Sequence, residues 1–235
     1  MKILALDSSG LVASVAVCQD DVMLAEYTTN DKKTHSQTLL PMIAEIMHML
    51  HMEASSVDAI AVAAGPGSFT GLRIGCATAK GLGLAWEKPI IPVPTVDALA
   101  YNLVGTKGLV CPMMDARRQQ VYTGIYRLED GSMEQIMPQT AMPVEELTKR
   151  LNSCGERVTL LGDGLPVYSQ LLETALQVPF MIAPSHLARQ RAGAVAALGM
   201  KLFREGIVQT ADEHTPVYLR MSQAERERSL KEAGK

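Results

Sequence analysis

The stretch AAGPGSFTGLRIG, residues 63–75, places a glycine-rich turn between a strand and a helix. The strand is predicted by the continuous apolar run AIAVAAG (residues 59–65), and the helix is predicted over Phe69–Trp86. The amide groups of such a turn, at the N-terminus of a helix, often bind phosphate. The turn therefore raises the question of whether this chain binds a nucleotide.

The segments around this turn follow an order typical of α/β proteins. An apolar run at the N-terminus ends in Asp7, and ASVAVCQDDVMLAEYT (residues 13–28) predicts a hairpin. A helix is expected over Thr34–His51. KPIIPVPT (residues 88–95) predicts another short strand, with Thr95 as the N-cap of the next helix.

The second half of the chain repeats this order. GLVCPMMDARR (residues 108–118) is again an apolar run that reaches an aspartate, Asp115, and the hairpin after it turns at Asp130-Gly131. VTLLGDG (residues 158–164) predicts a buried strand like AIAVAAG. Helices are expected over Val167–Leu176 and Ala188–Arg204, the latter with Gly206 as its C-cap.

We interpret this repeat as a duplicated α/β unit whose join falls between Gly105 and Gly108. The predicted lobes are residues 1–106 and 107–220. Residues 221–235 are rich in charge and poor in apolar side chains, which predicts a frayed tail.

Composition excludes several classes of protein. The 235 residues carry a net charge of −3, which argues against a protein that binds nucleic acid on its own. The four cysteines are far apart and form no CxxC pair, which indicates reduced thiols and no zinc site (Cys18, Cys76, Cys111 and Cys154). Apolar runs are too short for a signal peptide or a membrane span, so a cytoplasmic protein is expected.

Five motifs together resemble the bacterial TsaB family, formerly called YeaZ. They extend over nearly the whole chain, from Met1 to about Arg220, and GPGSFTGLR is the most specific of them: LDSS, GPGSFTGLRIG, AKGL, DARRQQVY and PVYLR. The resemblance implies an actin/sugar-kinase/Hsp70-like (ASKHA) α/β fold of two ribonuclease-H-like lobes, with mixed sheets flanked by helices. It also implies a role in forming N6-threonylcarbamoyladenosine at position 37 of tRNA, with a catalytic paralogue, TsaD, and an ATPase, TsaE, as partners.

The histidines do not predict a metal site. The catalytic paralogue holds its metal with a His-x-x-x-His pair, but in THSQTLLPMI (residues 34–43) His35 is followed four residues later by Leu39. His48 and His51 are three apart, yet a solvated helix end explains them better than chelation. A metallopeptidase, an older description in the wider superfamily, therefore lacks the residues for its chemistry, and nothing resembles the GxSxG motif of a serine nucleophile.

The sequence argues against ATP binding by this chain alone. A phosphate-binding Walker loop requires a Lys, whereas the first basic residue after the glycines is Arg73, inside the helix. An anion or nucleotide could still contact the first strand end and the glycine turn, at Asp7, Ser8, Ser9, Gly67 and Ser68. The alternative function is therefore an ATP-dependent phosphotransferase of the same superfold, with Asp7 as metal ligand or general base.

The glycines are better explained as packing positions. Gly71, Gly75, Ala79 and Gly83 recur every four residues and form a stripe without large side chains, a pattern that lets another helix approach closely. The helix of residues 34–51 has more apolar positions than one core-facing stripe requires. We interpret the two helices as an intersubunit four-helix contact, as the TsaB resemblance also implies; the alternative is that both are buried inside the fold. The predicted interface residues are Leu39, Leu40, Ile43, Met47, Leu50, Gly71, Leu72, Gly75, Cys76, Ala79 and Gly83.

These observations predict a non-catalytic subunit that docks on a TsaD-type transferase. A bulky residue at Gly75 or Ala79 is expected to abolish association and leave the monomer folded. The expected partners are the TsaD-type paralogue, a TsaE-type ATPase and, through the complex, tRNA, with a homodimer when the chain is alone. No intrinsic cofactor is expected, since ATP would be used by the complex. Arg117 and Arg118 could touch tRNA, but adjacent arginines beside a strand are more often solvated surface.

Overall fold

The computed structural model describes residues 1–31 and 34–220. Its first sheet has five strands in the order β3-β2-β1-β4-β5. β2 runs antiparallel to β1 and to β3, whereas β4 runs parallel to β1 and β5. The strands are β1 (Lys2–Asp7), β2 (Ala13–Gln19), β3 (Val22–Thr29), β4 (Ala59–Gly65) and β5 (Ile90–Pro94).

The second sheet repeats this plan in the order β10-β9-β6-β7-β8. β6 pairs antiparallel with β7 and parallel with β9, as β1 does with β2 and β4. The strands are β6 (Gly108–Asp115), β7 (Gln120–Glu129), β8 (Ser132–Pro143), β9 (Val158–Leu161) and β10 (Phe180–Ile182). The predicted fold of two mixed sheets flanked by helices is confirmed, because both hairpins formed and the parallel strands β4, β5 and β9 formed at the predicted apolar runs.

Six α-helices and a 3₁₀ turn at Ala54–Ser56 are formed by the described residues. α2 begins where the Ser68 hydroxyl oxygen accepts the amide proton of Gly71 over 3.3 Å, and it ends at Glu87 in the left-handed region. The helices are α1 (His35–Met49), α2 (Phe69–Trp86), α3 (Thr95–Tyr101), α4 (Val144–Cys154), α5 (Gly164–Ala175) and α6 (Ala192–Arg204).

Two helices cover a sheet of the other half of the chain. The inner face of the first sheet, with Ile3 and Ala61, packs against α6, whose Val195 is fully buried there. The second sheet in turn buries Val96 and Leu99 of α3. The predicted boundary of 107–220 for the second lobe is therefore wrong for α6, because the small side chains of the first sheet's inner face need a helix that only the later sequence supplies.

Several local predictions differ from the structure. Pro94, not Thr95, precedes the first turn of α3, and the Thr95 hydroxyl oxygen instead accepts the amide proton of Gly65 over 3.0 Å. α4 and β10 were not predicted, and α5 and α6 differ from their predicted bounds at the N-terminal end by three and four residues. The charged tail at 221–235 lies outside the described residues.

None of the helices in the described ranges is both long and apolar enough to cross a membrane.

Candidate functional site

The loop that follows β1 faces the end of β6 and the loop after it across a cavity of about 530 Å³, which we call the interlobe cleft. One wall comes from the first sheet's loops and the start of α2, including Ser9, Gly67 and Ser68. The other wall comes from the loop after β6, the start of α5 and the segment at 218–220. Clefts of this size at the carboxyl ends of parallel strands are usual ligand sites in α/β proteins.

The glycine turn closes on the loop after β1. The amide of Ser68 donates to the carbonyl oxygen of Ser9 over 2.7 Å, and a Cβ at Gly67 would overlap that same carbonyl. The two loops that could have surrounded a phosphate are thus in direct contact with each other. The glycine at 67 is needed for this backbone contact, which supplies a reason for it other than a nucleotide.

Asp7 lies beneath this contact and not in the cleft. Its side chain is 1% exposed, and its Oδ1 accepts hydrogen bonds from the Ser9 hydroxyl at 2.6 Å and the Ser9 amide at 2.9 Å. Burial raises the pKa of Asp7 to about 6, against the lowering effect of Ser9. Of the predicted anion contacts, Ser9, Gly67 and Ser68 line the cleft, while Asp7 and Ser8 are covered by the chain itself.

The small-residue stripe of α2 also packs inside the chain. A Cβ at Gly71 would overlap the carbonyl oxygen of Ser8, and one at Gly75 would lie 2.6 Å from the Ser8 hydroxyl. Ala79 is fully buried in the core, and a Cβ at Gly83 would lie 3.1 Å from the carbonyl oxygen of Lys88. The prediction that this stripe faces a partner's helix is therefore wrong, because the loop after β1 and the first sheet already occupy the space beside it.

The predicted interface residues on α1 are mostly buried as well. Leu39, Ile43 and Met47 pack with Ala79 of α2 and the outer face of the first sheet, and Leu72 and Cys76 are also buried. Leu40 is exposed and Leu50 is partly exposed. Most of the apolar side chains of α1 thus face the core, and a smaller number are exposed.

A second row of small residues on α2 does face outward. Ala77, Gly81 and Ala85 recur every four residues and are exposed, and no heavy atom lies within 4 Å of a Cβ built at Gly81. Large apolar side chains are also exposed on the same two helices: Leu84 on α2 by 58%, with Leu40 and Met49 on α1 by 53% and 59%. We call these residues of α1 and α2 the outward surface: Leu40, Ala44, Met49, Ala77, Gly81, Leu84 and Ala85.

Hydrogen bonds to two carboxylates hold the second wall of the cleft. The Tyr168 hydroxyl donates to Asp115 Oδ1 over 2.8 Å, and the Asp115 amide donates to Asp163 Oδ1 over 3.0 Å. Burial raises the pKa of Asp163, opposed by the Asp115 amide and by Arg189. Both carboxylates thus hold the loop after β6. The sequence did not predict that they lie together, because residues 48 positions apart leave no periodic pattern.

The segment at 217–220 crosses from one lobe to the other. The Val217 amide donates to the carbonyl oxygen of Ala64 over 2.7 Å, and the Tyr218 ring packs on Phe69 with centroids 4.9 Å apart. Arg220 then donates to the carbonyl oxygens of Ala116 and Arg117. Sequence reasoning missed these cleft residues, although PVYLR (residues 216–220) was among the motifs of the resemblance.

Two of the described histidines have structural contacts. The Nε2 atom of His35 lies 2.8 Å from the carbonyl oxygen of Gly10, and His214 is buried with its Nδ1 atom 3.0 Å from Gln209. His48 and His51 are exposed at the end of α1. Within residues 1–31 and 34–220, no three His, Cys, Asp or Glu side chains come together as a set of metal ligands.

Comparison with known proteins gives consistent matches. The family model of TsaD, tRNA N6-adenosine threonylcarbamoyltransferase, matches residues 22–228. The tRNA threonylcarbamoyladenosine biosynthesis protein TsaB of Bacillus subtilis is 34% identical over 96% of this chain and 96% of its own length. TsaB of Escherichia coli is 28% identical, with 94% and 95% covered. The solved structure of YeaZ from Pseudomonas aeruginosa superposes with a TM-score of 0.80 at 29% identity, covering 93% of this chain and 99% of that one.

Proposed function

The chain belongs to the TsaB family of tRNA threonylcarbamoyladenosine biosynthesis proteins, and from this membership we propose that it is a non-catalytic subunit that docks on a TsaD-type transferase. The docking site in this proposal is the outward surface of α1 and α2. The observation that carries it is the exposed row of Ala77, Gly81 and Ala85 beside exposed Leu84. An open row of small residues lets a partner's helix approach the α2 backbone closely.

The packing of the outward surface supports this role. Leu40, Met49 and Leu84 each expose more than half of their surface, whereas the same two helices bury Leu39, Ile46 and Leu72 almost fully. Large apolar side chains that are exposed on packed helices are typical of interaction surfaces. The surface is offset from the predicted stripe by half a turn of α2, so it replaces that stripe as the proposed interface.

The geometry of the first lobe supports a role without catalysis. Asp7, which a phosphotransferase of this superfold would use, is buried under the contact between Ser9 and the glycine turn. His35 is tied to Gly10 and has Leu39 where the catalytic paralogue has its second histidine. The family membership favours the tRNA-modification role over the phosphotransferase alternative.

The rest of the assembly follows from this role. We propose a TsaE-type ATPase and tRNA as further partners, and a homodimer through the same outward surface when the chain is alone. In this scheme the chain acts in the cytoplasm and needs no cofactor of its own, since ATP is used by the complex.

Substitution of Gly81 tests the docking site. Gly81→Arg fills open space, so the monomer should keep its thermal stability, while association with the TsaD-type partner, measured by calorimetry, should be lost. Gln170→Arg, at an exposed position of α5, is the matched control and should bind as the unsubstituted chain does. Full partner affinity in Gly81→Arg would exclude the outward surface as the interface.

A further inference from the structure

The mouth of the interlobe cleft carries an unusual backbone segment, Arg117–Gln119, which we call the arginine turn. Its three residues have φ angles of 65°, 56° and 57°, so three consecutive residues other than glycine have positive φ angles. Non-glycine residues adopt this region singly, because the Cβ atom crowds the following carbonyl oxygen. Three in succession persist only where the surrounding structure holds them.

Several hydrogen bonds hold the arginine turn. The Arg117 amide donates to Asp115 Oδ1 over 2.9 Å, and the Gln120 amide donates to the carbonyl oxygen of Arg117 over 3.2 Å. The carbonyl oxygen of Gln119 accepts the amide proton of Val144 over 3.0 Å. Arg220 also donates to the turn, so its guanidinium group is used in holding the backbone.

The result is a fixed turn that projects its own cationic side chains into solvent. Arg117 is 85% exposed, and its guanidinium group makes a long ion pair of 3.5 Å with Asp115. Arg118 is exposed, and no carboxylate of the described residues pairs with it. A guanidinium group in a fixed position binds the oxygens of a phosphate in pairs, with little entropy lost on binding.

Aromatic side chains lie beside these cations. Three of the ten Phe, Tyr and Trp residues of the chain line this one cleft: Phe69, Tyr122 and Tyr218. Phe69 is covered by Tyr218 on one side and lies 4.2 Å from the Arg73 guanidinium, whereas Tyr218 keeps 40% of its surface exposed. A groove with cations for the backbone and an aromatic ring for the bases is the usual arrangement for single-stranded nucleic acid.

We propose that the mouth of the interlobe cleft binds a single-stranded segment of RNA, with the arginine turn on backbone phosphates and Tyr218 stacked on a base. This inference rests on the proposed role in tRNA modification and adds a direct RNA contact made by this chain. A free nucleotide fits less well, because the Ser68 amide already donates to the carbonyl oxygen of Ser9 and Asp7 is buried. The free cations lie at the rim, where a strand can pass from Arg118 toward Tyr218.

The test measures binding of a fluorescein-labelled oligoadenylate of about ten nucleotides to the full-length chain by fluorescence anisotropy. The variant Arg117→Gln/Arg118→Gln should weaken binding about tenfold and lower the slope of log affinity against log salt by about 1 to 2. Tyr218→Leu should weaken binding about fivefold with the salt slope unchanged. The matched control, Lys107→Gln/Arg157→Gln, removes two exposed charges at the other end of the second sheet and should change affinity less than about twofold.

Several results would overturn the proposal. These are no binding of the oligoadenylate by the unsubstituted chain, equal losses in the arginine and control variants, or displacement of the RNA by ATP at an equal concentration of phosphate groups. Loss of affinity for the TsaD-type partner in the arginine variant, with RNA binding unchanged, would assign the turn to protein docking. Failure of the proposed function is seen separately, because Gly81→Arg lies on the outward surface and leaves the arginine turn intact.

Discussion

The carbonyl oxygen of Ser8 occupies the place where a side chain at Gly71 would begin, and the Ser8 hydroxyl donates to the carbonyl oxygen of Gly71 over 2.9 Å. The first turn of α2 is therefore packed directly on the loop that follows β1. This contact explains why glycine stands in the first turn of a helix, where it is otherwise unfavourable. The glycines of the turn and of the first turn of α2 therefore permit backbone contacts within the first lobe.

Two glycines of the same helix should respond oppositely to alanine. Gly71→Ala should lower the free energy of unfolding by at least about 2 kcal/mol, because the new Cβ meets backbone that cannot move away. Gly81→Ala should raise it by about 0.5 to 1 kcal/mol, since the space there is open and alanine favours the helix. Urea unfolding measures both. Equal effects of the two substitutions would contradict the assignment of the buried and open rows.

The buried carboxyl of Asp7 should make stability depend on pH. Its pKa is raised from 3.8 to about 6 by burial, so the folded state binds this proton more tightly than the unfolded chain does. The contribution of Asp7 is therefore most favourable near pH 4 and below, and is lost as pH rises through about 6. Asp7→Asn should stabilise the protein by about 2 kcal/mol near pH 7.5, with the gain disappearing toward pH 4. Thermal unfolding across this range measures it, and exposed Asp212→Asn is the control expected to show no such gain.

A glycine in the arginine turn should relieve its backbone. Gln119→Gly removes the Cβ that crowds the left-handed region and should raise the free energy of unfolding by about 1 kcal/mol. Gln170→Gly, in the right-handed helix α5, should lower it by a similar amount. Thermal denaturation of both variants compares them. A loss of stability in Gln119→Gly would mean that the side chain of Gln119 contributes more than its backbone strain.

The hydroxyl of Tyr126 should contribute to the packing of α3 on the second sheet. It donates to Asp97 Oδ1 over 2.6 Å, and burial raises the pKa of Asp97 while this hydrogen bond lowers it. Tyr126→Phe should lower the free energy of unfolding by about 2 kcal/mol at neutral pH, because the ionised carboxyl loses its donor. The loss should shrink as pH falls and Asp97 takes up a proton in the folded state. Tyr27→Phe, on the edge strand β3, is the control.

The local elements could be read from the chain because their causes are local. Two β-rich runs around QDD and the Asp130-Gly131 turn predicted the two hairpins, and the apolar runs ending at Asp7 and Gly65 predicted strands that the structure contains. The bounds of α2, Phe69–Trp86, are those predicted. α4 was missed although the sequence carries its signals: Pro143 precedes it, Glu145 and Glu146 lie in its first turn, and Gly155 follows it.

The sequence did not determine which surface each helix or strand face packs against. The stripe Gly71, Gly75, Ala79 and Gly83 was visible from its spacing, but whether it faced a partner or the loop at Ser8 depended on a contact 63 residues away. The same holds for α6 on the first sheet and for the Arg220 contact with the arginine turn. Periodicity along a chain identifies an element and its faces, because neighbouring residues set backbone preference and side-chain direction. Which surface each face meets is chosen by the packing of all elements together, and only the tertiary structure contains that information.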